Sequence, residues 1–182
     1  MPAAPPRDQR GRGRSFPTEA RPDQSGLRIA TVPRMPTEAA VRAEGACLVL
    51  RVERYESPAT TTGMDANWLV GRVALDVGRT DIFTAKVEVS VLASELESFR
   101  DELQVLDREL TGEATLHHLE SQIGVTITLK SGKGAIAGYV REHIGATLRF
   151  DQIPIDQSYV REALEQFDAL VTAFPVRGDP TG

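Results

Sequence analysis

The chain predicts an α+β fold: about seven mostly antiparallel strands with two amphipathic helices packed on one face. Three observations predict it. Apolar residues alternate with period two through 46–92 and again through 113–150. The period lengthens to three and four residues over 94–110 and over 160–174. Clusters of turn formers separate the runs. At 182 residues, with 41% hydrophobic and 26% charged side chains, the composition suits one domain and an appendage.

The appendage is N-terminal. Seven of the eleven prolines fall within residues 1–38, with glycine and arginine interleaved in "RDQRGRGRS". Apolar side chains there are too sparse to offset the entropy of ordering. Residues 1–40 are therefore expected to be a disordered Pro/Arg-rich extension, 44–178 a single α+β domain, and 179–182 a tail. Arg7, Arg10, Arg12 and Arg14 suit a weak nucleic-acid arm, but an unselected extension explains them more simply. Translation beginning at Met35 is an allied expectation.

The first strands follow in order. "ACLVLRVERY" puts Leu48, Leu50 and Val52 on one face. After the loop "ESPATTTGMDA", the run "NWLVGRVALDV" places Leu69, Val73, Leu75 and Val77 on one side. "GRTD" connects this run to "IFTAKVEVSV", where Phe83, Ala85, Val87, Val89 and Val91 are expected inward. Clean alternation of this kind suits an antiparallel sheet with one solvated face.

In "SELESFRDELQVLDREL", Leu96, Phe99, Leu103, Leu106 and Leu110 form a helical stripe. Ser94 and Glu97 have capping-box spacing, and Gly112 marks the stop. Strands resume in "EATLHHLE", "QIGVTITLK", "AIAGYVREH" and "GATLRFD"; in the second, Ile123, Val125, Ile127 and Leu129 share one face, and a hairpin turn at "SGKG" accounts for Gly132 and Gly134. The strand is expected to end at Phe150, with Asp151 where it runs out, because Pro154 cannot continue a sheet interior. Val160, Leu164, Phe167, Leu170, Val171 and Phe174 then make a second helical stripe. Asp156 stands where an N-cap carboxylate belongs, and Pro175 ends the helix.

Catalytic constellations do not assemble. His117 and His118 are adjacent in a strand, so their rings point to opposite faces. His118 and Glu120 share a face, but two ligands do not make a metal site. His143 stands alone. Ser131 and Ser158 lack a nucleophile elbow. Cys47, the single cysteine, reads as a small buried side chain and rules out a disulfide framework. The expectation is no catalytic residue, no metal and no cofactor.

Charge is asymmetric. Residues 1–38 carry seven arginines and four acids, net +3, and the remainder is net −8. An acidic body repels nucleic acid and favours basic partners. No basic cluster and few aromatics argue against nucleic-acid binding by the folded domain. No apolar run is long enough to span a bilayer and no signal sequence is present, so a cytoplasmic protein with no membrane partner is expected.

The segments "DANWLVGRVALDV", "FTAKVEVSVLASELESFRDELQVLDRELTGEATL" and "LRFDQIPIDQSYVREALEQFDALVTAFPVRG" resemble the WapI-like family of bacterial immunity proteins, over about residues 46–178. The shared features are an Asn-Trp-Leu strand, an amphipathic helix followed by Leu-x-Gly-Glu-Ala, and an Asp-Gln-Ser-Tyr helix closing with Phe-Pro-x-Arg-Gly. The resemblance implies a non-enzymatic cytoplasmic antidote that binds the C-terminal domain of a contact-delivered toxin. A basic toxin, such as a nuclease, would suit the acidic body. No contact residue carries over from the family. Pattern alone nominates Trp68, Arg72 and Glu88 on the outward sheet face, with Lys86 beside them, and Glu95, Asp101 and Glu102 on the first helix, with Glu109 beyond them. Two competing readings are an enzyme with an unrecognised site on the polar sheet face and an assembly module that oligomerises through that face.

Overall fold

The computed structural model describes residues 37–178; the expectations for 1–36 and 179–182 lie outside the described residues. Eight strands and two helices follow in the order β1 (Glu38–Ala43), β2 (Ala46–Tyr55), β3 (Trp68–Val77), β4 (Phe83–Leu92), α1 (Ala93–Glu109), β5 (Gly112–His117), β6 (Ile123–Lys130), β7 (Lys133–Arg141), β8 (Thr147–Asp156) and α2 (Gln157–Ala173). The α+β class is as expected, with eight strands in place of about seven. The additional strand is β1, whose short "EAAVRA" carries little alternation of its own. No helix among the described residues is long and apolar enough to cross a membrane.

The strands divide into two antiparallel four-stranded sheets, ordered β1-β2-β3-β4 and β5-β6-β7-β8. The chain is thus a four-strands-plus-helix unit made twice. Each 17-residue helix leaves its own sheet and packs along the first strand of the other, α1 on β5 and α2 on β1. Glu102 and Gln166, each nine residues after the first of its helix, make matching contacts there. Glu102 Oε2 accepts from Thr115 N–H at 2.7 Å, and Gln166 Oε1 accepts from Ala40 N–H at 2.9 Å. The helices meet through Phe99 and Phe167, whose rings cross edge-on with centroids 5.0 Å apart. The core joins both sheets and both helices into one cluster that includes Leu48, Leu69, Leu96, Ile127 and Leu170.

Most alternation readings hold: Leu48, Leu50, Val52, Leu69, Val73, Leu75, Ile123, Val125, Ile127 and Leu129 are buried. Phe83 departs from its expected inward place and is 64% exposed. β4 leaves the core towards its N-terminal end: Val89 and Val91 are buried, Ala85 and Val87 only half so.

Three local readings change. The carboxylate that caps α1 is Glu95, not Glu97. β4 runs straight into the helix, so the orphan amide is that of Leu92, which donates to Glu95 Oε2 at 3.0 Å. The left-handed residue at the end of α1 is Leu110, φ 58°, two before the expected Gly112. β8 does not stop at Phe150. It continues to Asp156 across a bulge, where pairing slips from Gly138–Phe150 to Ile136–Ile153 and Gln152 takes φ 53°. Asp151 is therefore a bulge residue, and Pro154 is accommodated because β8 is an edge strand. Asp156 is the N-cap of α2, as expected: its Oδ1 accepts from Ser158 N–H at 2.9 Å. Ser131 and Gly132, both at positive φ, make the β6–β7 turn, and Gly134 lies within β7.

Candidate partner-binding surfaces

The outward face of the first sheet carries one charged row across all four strands: Glu38, Arg51, Arg72 and Glu88 are successive cross-strand neighbours. Arg51 pairs with Glu38 at 3.5 Å, and Arg72 with Glu53 at 3.5 Å and Glu88 at 3.8 Å. All these side chains are well exposed, so each pair contributes at most about 1 kcal/mol to stability. The row flanks a shallow groove of about 270 Å³ floored by Val49 and Ala74 and bordered by Lys86. Arg72, Lys86 and Glu88 thus come together on one patch. Trp68, the first residue of β3, is half-buried opposite Leu92 at the other end of the strand pair.

The helix candidates separate by role. Asp101 is exposed and pairs with Arg100 at 2.6 Å, which also reaches Asp168 of α2 at 2.9 Å. Glu109 is likewise exposed beside Arg108. Glu95 and Glu102 instead spend their carboxylates on backbone amides. Glu95 takes Leu92 N–H and Leu119 N–H, and Glu102 takes Thr115 N–H. They belong to the fold as much as to the surface.

A second surface was not legible in the sequence. The outward face of the second sheet holds a groove of about 530 Å³ lined by Thr115, His117, Thr126, Tyr139, Arg149 and Asp151. His117, Gly124, Tyr139 and Arg149 form one cross-strand row. The Tyr139 ring lies across Gly124, where a Cβ would come within 2.5 Å of it. The Arg141 and Arg149 guanidiniums stand 5.6 and 5.3 Å from its centroid. Alternation marks Tyr139 and Arg141 as outward, but only strand pairing brings Arg149 and Gly124 to the ring.

Two of the titratable groups weighed for chemistry are at least partly buried. His118 is buried; its ring sits 2.7 Å (Nε2) from Ser90 O and accepts Gln122 N–H at Nδ1, 3.1 Å. A neutral imidazole with its proton on Nε2 satisfies both contacts. Cys47 is half-buried between Arg42 and Asp76 in the register, on the outward face and not in the expected apolar surroundings. Burial pushes its thiol up, against the opposing pull of Arg42, so it is a poor thiolate.

The model of the immunity protein WapI-like family matches residues 41–175. The chain belongs to the WapI-like immunity protein family. Membership implies a toxin protein as partner. No curated protein matches the chain. Among solved structures, the plant transcriptional regulator PBF-2 is similar at 11% identity, with a TM-score of 0.45 over 78% of this chain and 83% of that chain; so distant a likeness carries no argument here.

Two of the WapI-like segments meet in space. Asn67 of Asn-Trp-Leu is 1% exposed; it accepts Arg177 N–H at 2.7 Å and donates to Arg177 O and Gly63 O, both at 3.0 Å. Arg177, of Phe-Pro-x-Arg-Gly, lays its guanidinium 3.3 Å from the Tyr55 ring centroid, and Tyr55 OH donates to Pro175 O at 2.5 Å. Asn67 is the residue that sequence reasoning missed: a polar side chain before an apolar strand signals nothing until its partner is known.

Proposed function

We propose that this protein is a non-enzymatic, cytoplasmic immunity protein that binds the C-terminal domain of a contact-delivered toxin through the outward face of its first sheet. The observation that carries this reading is the row Glu38–Arg51–Arg72–Glu88 beside the apolar floor of Val49 and Ala74. Apolar contacts in the groove supply burial, and the charged border supplies orientation and discrimination. Trp68, on the same outward face, extends the contact area on this reading, Asp101 on α1 offers a separate exposed carboxylate, and Glu95 and Glu102 act by holding α1 in place. The net −8 of residues 39–182 supports a basic partner, such as a nuclease domain, whose approach it would accelerate.

The test is co-expression with the terminal toxin domain encoded beside this protein, together with calorimetric titration of the purified pair. Wild-type chain rescues growth and binds. Arg72→Glu combined with Glu88→Arg, which retains the pair within the protein but inverts it for the partner, weakens binding at least about tenfold. Unchanged binding by this correctly folded variant would move the toxin site elsewhere.

A further inference from the structure

An uncovered sheet edge presents unpaired backbone groups and invites a further strand. Two of the four edges here are covered by a helix and a third is broken. α2 covers β1 with Gln166 on Ala40 N–H, and α1 covers β5 with Glu102 on Thr115 N–H. β8 is interrupted by its bulge and by Pro154. β4 is closed only at one end, where Gln122 Nε2 donates to Glu88 O at 3.3 Å and the His118 ring meets Ser90 O. Residues of an antiparallel strand face alternate edges, so these carbonyls mark the even-numbered residues of β4 as facing away from β3. Thr84 and Lys86 share that direction. Both are exposed, and their backbone groups have no partner among the described residues.

The open half has two further features. A groove of about 350 Å³ lies beside it, with Ala85, Val87, Val140 and Leu148 among its lining and Lys86, Glu142 and Thr147 also bordering it. At its end Ile82 and Phe83 are 63% and 64% exposed. A large aromatic beside a hollow that Ala85, Val87 and Leu148 help to line is a knob and a hole on one molecule.

We infer that β4 is a dimer edge, taken by the β4 of a second copy of this chain running antiparallel and centred on Ala85. That register sets Thr84 opposite Lys86 and Phe83 opposite Val87, each twice by the two-fold axis. Phe83 of each copy then enters the hollow beside Val87 of the other, and the contact closes on itself. Centring on Lys86 would oppose two ammonium groups and loses this fit. The result joins the two first sheets edge to edge.

Sedimentation equilibrium of the full chain tests this. At high micromolar concentration the mass is twice the 19.8 kDa of one chain, and it falls towards one chain on dilution. Thr84→Pro removes an amide that faces away from β3, and Phe83→Asp alters an exposed side chain, so both variants keep the wild-type circular dichroism and, at dilutions where the wild type is also monomeric, its melting temperature. Each weakens association at least about tenfold. A chain that stays monomeric at high micromolar concentration overturns the inference, as does a dimer that both variants leave intact. A Thr84→Pro protein that dimerises normally but no longer binds the toxin domain also overturns it, because the edge then belongs to the toxin. Absence of toxin binding by the wild type leaves the mass measurement unaffected.

Discussion

Asn67 and Arg177 lie 110 residues apart in the chain and share two hydrogen bonds through one buried amide, which accepts Arg177 N–H and donates to Arg177 O. The side chain thereby completes a backbone pairing that no strand offers the C-terminal segment. Asn67→Ala leaves the Arg177 and Gly63 groups without their partner and costs about 2–3 kcal/mol, read from urea unfolding. Asn67→Asp costs more, because it turns a carboxylate towards two carbonyl oxygens. An alanine variant as stable as wild type would show that the segment is held by Tyr55 and Phe174 alone.

Phe99 and Phe167 join the two helices and both are fully buried. Phe167→Ala lowers stability by about 3–5 kcal/mol, since the cavity lies between elements of both halves. A double-mutant cycle with Phe99→Leu returns a coupling of about 0.5–1.5 kcal/mol for the edge-on ring pair. Additive losses would mean that the rings fill space independently.

Glu102→Ala and Arg72→Glu separate fold from recognition. Glu102 accepts Thr115 N–H at 2.7 Å, and its loss costs about 1.5–3 kcal/mol of stability. Arg72→Glu lies on the solvated face, where it loses exposed pairs to Glu53 and Glu88 but faces Arg51, so it costs about 1 kcal/mol or less, below the loss at Glu102, while weakening toxin binding. Reversal of these two outcomes in thermal melts and titrations would exchange the roles assigned to the helix and the sheet.

The Asp156 carboxyl is held below its ordinary value, first by the Ser158 hydroxyl and then by the Ser158 amide at the start of α2. Because the folded-state value is the lower one, its contribution is present above the ordinary carboxylate range and is lost as pH falls through the folded value. Asp156→Asn keeps an N-cap acceptor but removes that titration. The wild type therefore loses more stability than the variant on acidification, measured by unfolding midpoints across the acid range. Parallel acid profiles would refute the assignment.

Cys47 reacts slowly with a disulfide reagent at neutral pH and faster in alkali, because burial raises its thiol. Rapid labelling of the native protein at neutral pH would contradict the environment described for it.

Much of this architecture was legible residue by residue. Alternation placed Leu48, Leu69, Val73 and Ile127 in the core, helical spacing found both stripes, and Asp156 read correctly as a cap. Each of these signals is local: it follows from where successive Cβ atoms point along a strand or helix, whatever the rest of the chain does. Pairing between distant segments alone decided the rest. β1 is a strand because α2 covers it, and the strands part into two sheets because each helix crosses to the other half. Asp151 sits in a bulge because β8 must stay in register with β7 past Gly138. Arg177 reaches Asn67, Arg149 reaches Tyr139, and Phe83 stays outside this chain's own core for the same reason. Such contacts depend on which apolar faces the whole chain can bury together, and no periodicity within a single segment encodes that choice.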